Sequence, residues 1–172
     1  GAGSGIGAGL RIDSADNRVQ NCWIGLDAAG SVSVSGNLGG GILVVGPAAT
    51  GNVIGGSGAA ARNVISNNGA FGIAIQSGAS GTFIQGNYIG TTPGANIAVG
   101  NASAGILLAG GAAGNQIGAF ASTPGAAPGN VISGNAGHGI DISGAGTAGN
   151  LVHGNLIGTH GSGLTALGNA GQ

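Results

Sequence analysis

The signature Gly-apolar-x-apolar returns along this chain at a nearly fixed interval. It stands at Gly9-Leu10-Arg11-Ile12, Gly41-Ile42-Leu43-Val44, Gly72-Ile73-Ala74-Ile75, Gly105-Ile106-Leu107-Leu108 and Gly139-Ile140-Asp141-Ile142, with spacings of 32, 31, 33 and 34 residues. A recurrence of this length marks stacked structural units. Within each signature the two apolar residues are two apart, so both point to one face of a strand. Leu10, Ile42, Ile73, Ile106 and Ile140 are therefore expected to form one core stack. The other apolar bursts, such as Val131-Ile132, Leu151-Val152 and Leu156-Ile157, are equally short and stop near Gly or Asn. None is long enough for a helix. The 43 glycines among the 172 residues also speak against one, at about 1 kcal/mol each relative to Ala.

Two kinds of unit alternate. One covers 9–40, 72–104 and 139–172. Its middle reads Asn21-Cys22-Trp23-Ile24-Gly25, Gly86-Asn87-Tyr88-Ile89-Gly90 and Gly154-Asn155-Leu156-Ile157-Gly158, and its end Val34-Ser35-Gly36-Asn37, Val99-Gly100-Asn101 and Leu167-Gly168-Asn169. The other covers 41–71 and 105–138. Its middle reads Gly51-Asn52-Val53-Ile54-Gly55 and Gly114-Asn115-Gln116-Ile117-Gly118, and its end Asn63-Val64-Ile65 and Asn130-Val131-Ile132. Gly/Ala/Pro stretches of unequal length near 57–62 and 119–129 read as outward loops on a fixed scaffold. Each unit holds about three short strands, one per side of a three-sided coil. The expected fold is all-β, a single-stranded parallel β-helix (solenoid) of about five coils of 31–34 residues. At ~4.8 Å per strand it would stand about 24 Å tall. Residues 1–8 read as a lead-in and 9–172 as a single β-helix domain.

The asparagines follow the same period. Asn52, Asn115 and Asn150 precede the apolar pair of the middle strand, with Asn17 in the matching place. Asn63 and Asn130 do the same on the next side. Such residues can form hydrogen-bonded ladders up a stack of parallel strands, which satisfies amides that would otherwise cost about 1–3 kcal/mol each when buried.

Charge narrows the partners. The chain has three Arg, four Asp, no Lys and no Glu, and a net charge of −1. Three arginines cannot make a phosphate-binding stripe, so nucleic acid is excluded, as is electrostatic attachment to an anionic membrane. Gly and Asn interrupt every apolar burst, so no window offers the ~20 continuous apolar residues of a membrane span. The absence of Met marks the sequence as processed or excerpted. The single Cys22 excludes an internal disulfide framework, and its place beside Trp23 reads as a buried, inert thiol.

The segments NVISGN, GIxI, NxVxGNxIGT, ALGN and GNxIGG resemble the parallel β-helix repeats of large bacterial secreted and surface proteins, which belong with the right-handed, pectin-lyase-like β-helices. The resemblance covers nearly all of 9–172. It implies a right-handed coil and a location outside the cell or on a bacterial cell surface. That superfamily mixes polysaccharide lyases and hydrolases, tailspikes, adhesins and stalks, so the likeness concerns fold and leaves function to the site.

The chemistry-bearing residues are few. Gly137-His138-Gly139 resembles the Gly-His-Gly of polygalacturonases, but their paired aspartates and Arg-x-Lys element have no counterpart here. Asp141 is matched by stacking to Asp13, four coils away. That is about 19 Å at one strand spacing per coil, beyond the ~6.5–9.5 Å between the carboxyls of an inverting glycosidase. Asp13, Asp16 and Asp27 with Arg11 and Arg18 read as a solvated ion cluster on the first coil. His138, His153 and His160 lack zinc-ligand spacing. Thr91 and Thr159 match each other, but Leu26 fills the third equivalent site, which leaves an ice-binding array incomplete. Trp23, Tyr88 and Leu156 share one core or flank position, and Asn101-Ala102-Ser103 is a formal glycosylation sequon. No catalytic, cofactor-binding or metal residue is expected, and no cofactor. The expected function is a non-catalytic structural or interaction module outside the cell. Its ends show neither a helix nor a charged cap, which is expected either of a chain that continues in a longer parent or of copies that stack end to end with themselves into a homo-oligomer or filament. The alternatives are a polysaccharide-binding or polysaccharide-degrading β-helix and an ice-binding solenoid.

Overall fold

The computed structural model describes residues 7–32, 36–120 and 123–171. Most of the lead-in, together with Val34 and Ser35 of the first unit's end, lies outside the described residues. In chain order the strands are β1 (Leu10–Ile12), β2 (Arg18–Val19), β3 (Trp23–Ile24), β4 (Ile42–Val45), β5 (Val53–Gly55), β6 (Val64–Ile65), β7 (Ile73–Gln76), β8 (Phe83–Gln85), β9 (Tyr88–Ile89), β10 (Ile106–Leu108), β11 (Gln116–Gly118), β12 (Val131–Ile132), β13 (Ile140–Ile142), β14 (Leu151–His153) and β15 (Leu156–Ile157). Every third strand joins the same sheet. Sheet A runs β1-β4-β7-β10-β13, sheet B β2-β5-β8-β11-β14 and sheet C β3-β6-β9-β12-β15. The pairings within all three sheets are parallel. The molecule is an all-β parallel solenoid. The chain makes about four turns from β1 to β13, because five stacked strands enclose four closed turns. One strand from each sheet makes a rung, and the rungs are counted downward from β1.

Four files of side chains fill the interior. Leu10, Ile42, Ile73, Ile106 and Ile140 are in register in sheet A, and Ile12, Val44, Ile75, Leu108 and Ile142 run beside them. Val19, Ile54, Ile84, Ile117 and Val152 come from sheet B, and Ile24, Ile65, Ile89, Ile132 and Ile157 from sheet C. The members from the middle three rungs are all fully buried. A buried Ile is worth about 1.5–3 kcal/mol relative to an exposed one, so each rung adds a similar increment. Ala49, Ala79 and Ala112 are also fully buried and follow tight turns at the A–B corner.

The two kinds of unit differ in which corner carries the long connection. In the first, third and fifth rungs the B and C strands nearly abut, and the long connection leaves sheet C. In the second and fourth it leaves sheet B, through residues 56–63 and 119–130. The middle of one kind of unit is thus a sheet C strand and the middle of the other a sheet B strand. A glycine marks each departure: Gly25, Gly55, Gly90, Gly118 and Gly158, all with φ between +79° and +94°. Gly25, Gly55, Gly90 and Gly118 also lie against a main-chain carbonyl of the next rung, closer than a Cβ would allow.

Asparagines stand at all three corners. At the B–C corner, Asn87 Oδ1 accepts the backbone N–H and the amide N–H of Asn63 at 3.2 and 2.9 Å. Asn130 does the same for Asn87 at 2.9 and 3.1 Å, and Asn155 for Asn130 at 3.0 and 2.8 Å. The other amide hydrogen returns to a carbonyl of the rung above, as from Asn87 Nδ2 to Ile54 O at 2.9 Å. Two donors and two acceptor sites are thereby used on Asn87 and on Asn130. Asn37, Asn68, Asn101, Asn135 and Asn169 form a second file at the C–A corner. The sequence signals this file as well: each of its first four members stands four residues before a signature glycine. The third file, Asn17, Asn52, Asn115 and Asn150, is broken at Thr82. The Thr82 N–H still reaches Asn115 Oδ1 at 2.9 Å, but Thr82 Oγ1 is buried without a partner.

Two substitutions test the ladders by chemical denaturation. Asn87→Ala leaves the Asn63 N–H and amide without an acceptor and is expected to lower stability by about 2–4 kcal/mol. Thr82→Asn restores the missing rung of the third file and is expected to raise stability by about 1–2 kcal/mol. Equal loss in both variants would mean that the amides do not hold the stack.

Candidate functional site

The register separates the residues that carry chemistry. Arg11 and Asp13 form an exposed ion pair at 3.5 Å. Asp27 does not join them. It closes its own turn, its carboxylate accepting from Ala29 N–H, Ser31 N–H and Ser31 Oγ at 2.9, 2.8 and 2.6 Å. The first-rung ion cluster is thus a single pair among the described residues, with Arg18 exposed and Asp16 at a left-handed turn of φ 60°. The file that ends at Asp141 begins at Arg11 and passes through Leu43, Ala74 and Leu107. Asp13 is not in it, because the signature glycines align Gly9 with Gly139 and place residue 11 over residue 141.

His138 is exposed in the turn before β13, His153 ends β14, and His160 lies in the connection after β15. No three His, Cys, Asp or Glu side chains among the described residues stand close enough to hold a metal ion. His153 packs edge-on to Phe120, with ring centroids 4.5 Å apart, and its Nε2 is buried without a partner. Thr91 is fully buried and its hydroxyl donates to Thr92 O at 3.2 Å, so it presents nothing to solvent. Asn101 of the sequon is fully buried in the C–A ladder.

Trp23, Val64, Tyr88, Val131 and Leu156 form one outward file on sheet C. The long connections cover much of it: Pro93 and Trp23 both approach Gly30, and Leu156 lies under Gly125. Tyr88 carries the guanidinium of Arg62 at 4.0 Å from the ring centroid, while Arg62 Nε donates to Gly86 O at 3.0 Å. This contact clamps the 56–62 connection onto the rung below, a role that no periodic signal in the sequence announces.

Cys22 is exposed, in contrast to the buried thiol that its neighbour Trp23 suggests. Because Trp23 points outward, Cys22 falls at the corner position that Asn occupies in the rungs below. Its backbone N–H donates to Asn63 Oδ1 at 3.0 Å. It also lines a shallow depression of about 440 Å³ at the first rung, beside Leu10, Ile12, Asn17 and Val19.

Unused binding capacity concentrates on the rung formed by β13, β14 and β15. The core residues Ile142, Val152 and Ile157 are 43%, 43% and 46% exposed, where their counterparts Leu108, Ile117 and Ile132 one rung above are fully buried. Asn150, Asn155 and Asn169 accept from the rung above, yet no described residue accepts from their own backbone N–H groups. This edge offers three donors, one at each corner, around an apolar floor. No family model, curated protein or solved structure matches the chain. The site is therefore read from its own geometry. Among the described residues no helix is long and apolar enough to cross a membrane.

Amide hydrogen exchange reads the edge directly. The amides of Asn150, Asn155 and Asn169 are expected to exchange at least about a hundredfold faster than those of Asn115, Asn130 and Asn135. Comparable protection at both levels would mean that the edge is closed.

Proposed function

We propose that this chain is a non-catalytic structural and interaction module, a rigid β-column whose binding surface is the strand edge of the β13–β14–β15 rung. One contrast carries the reading. Groups capable of acid–base or metal chemistry are spread over different faces and rungs, while unpaired corner donors and half-exposed core side chains share that one edge. An unpaired strand edge is a template for another strand. The partner is accordingly a further β-coil, whose docking lengthens the column. The resemblance to bacterial secreted β-helix repeat proteins supports a setting outside the cell, where a column of near-zero net charge acts as a stalk or spacer.

The opposing reading, a polysaccharide-processing enzyme, is tested by incubating the chain with pectin, alginate and chitin and following new reducing ends and unsaturated products. No product above the buffer control is expected. Turnover that Asp141→Asn or His138→Ala abolishes would overturn the non-catalytic assignment.

A further inference from the structure

We propose that the edge at β13–β14–β15 is built to receive one kind of coil: an even one, like the second and fourth rungs, with its long connection leaving sheet B and a short turn after sheet C. This rests on the reading of that edge as a binding surface and specifies its partner.

The reason lies at the C–A corner, where long and short turns interlock. Going down the column, the residue after the sheet C strand is Gly25, Ser66, Gly90, Ser133 and then Gly158. Each glycine starts a long connection and each serine a short one. Downward, Ser66 Oγ accepts the Gly90 N–H at 3.1 Å and donates to Thr91 O at 2.8 Å. Ser133 Oγ likewise accepts from Gly158 and Thr159 N–H, both at 3.1 Å, and donates to Thr159 O at 2.8 Å. Upward, the Ser66 carbonyl lies against Gly25 Cα and the Ser133 carbonyl against Gly90 Cα, in space a Cβ would occupy. A serine turn therefore serves the long connection above it through its carbonyl and the one below it through its hydroxyl. Gly158 has the same left-handed backbone as Gly25 and Gly90, yet a Cβ there would meet nothing nearer than Gly168 Cα at 3.9 Å. The place below Gly158 is shaped for a serine turn.

The long connections also use the height that the short turns leave. The Gly161 N–H donates to Ala95 O at 2.8 Å, across the intervening even rung, and Pro93 packs against Gly30 across another. At ~4.8 Å per strand, each long connection fills about 10 Å, two strand spacings. A second odd rung placed directly below would leave its connection about half that height.

The first rung of an identical chain fails on this ground. It is odd, and its Gly25 connection would meet the one that leaves Gly158. It fails a second time at the B–C corner, where the Asn155 N–H would meet Cys22 in place of an asparagine oxygen. Asn17 and Asn37 would continue their own files, so copy-on-copy stacking in register satisfies two ladders of three. An even coil supplies an asparagine at each corner, as Asn115, Asn130 and Asn135 do in the fourth rung. Gly168-Asn169-Ala170-Gly171 also repeats Gly134-Asn135-Ala136-Gly137, so a coil joined after Gln172 enters sheet A in register.

Two extended chains test this. To the full chain is joined, after Gln172, either a second copy of residues 105–138 (even) or of residues 72–104 (odd). Exchange of the Asn150, Asn155 and Asn169 amides and the thermal midpoint are compared with the parent, with the Asn87 and Asn101 amides reporting that the parent column is folded. The even extension is expected to slow the three edge amides at least about a hundredfold and to raise the midpoint by about 5 °C. The odd extension should protect them at least about tenfold less. Equal protection by both would overturn the proposal and leave the edge as a general strand-binding surface. Protection by neither, in a folded parent column, would overturn the edge reading itself.

Discussion

The structure depends on one small group, the asparagine side-chain amide, wired vertically through the column. Its oxygen takes two hydrogens from the rung above, and its nitrogen gives one back to a carbonyl there and one to the oxygen below. Strand pairing holds neighbouring rungs at their spacing, but a parallel ladder alone specifies register weakly where strands are only two to four residues long. The amides remove that freedom. A slip of one residue at any corner would leave several buried donors unpaired at about 1–3 kcal/mol each. The apolar files supply most of the burial energy, and the amides decide which residue lies over which.

A second constraint sits on top of the first. A solenoid with long connections must place them somewhere, and at one strand spacing they would collide. This chain alternates the corner, so each connection has two spacings of height. Glycine is needed where a connection departs, both for its left-handed backbone and because the carbonyl of the short turn below occupies the space of a side chain. Loop placement, glycine placement and serine placement are thus one arrangement. The same arrangement links fold to function, since it makes an exposed rung selective for the kind of coil that can follow it.

Neutrality belongs to the same logic. A column with one exposed ion pair among its described residues and few other charges gets little help or hindrance from electrostatics, so shape and hydrogen bonding must provide specificity at its edges. Natural sheets often blunt an edge with lysines, and this chain has none. Its edge is restricted instead by geometry: a long connection at one corner and three donors that need three matching acceptors.

Much of this was legible from residues alone. The interval of the Gly-apolar-x-apolar signature, together with apolar bursts too short and too glycine-rich for helices, was enough to derive a parallel solenoid. The signature also set the core file from Leu10 to Ile140, and the Asn positions ahead of apolar pairs announced the ladders. What the sequence could not express was the angular position of each burst. Asn87 and Asn155 read as the middle of one kind of unit, yet they stand in a file with Asn63 and Asn130, because abutting B and C strands shift the apparent phase. Cys22 read as buried because its neighbours are apolar, and it is exposed because Trp23 turns outward. The corner at which a connection leaves, the break at Thr82 and the placing of an unpaired donor at each corner of the last rung were decided only when the coils stacked. They depend on distances between residues some 24 to 43 positions apart, which no local pattern encodes.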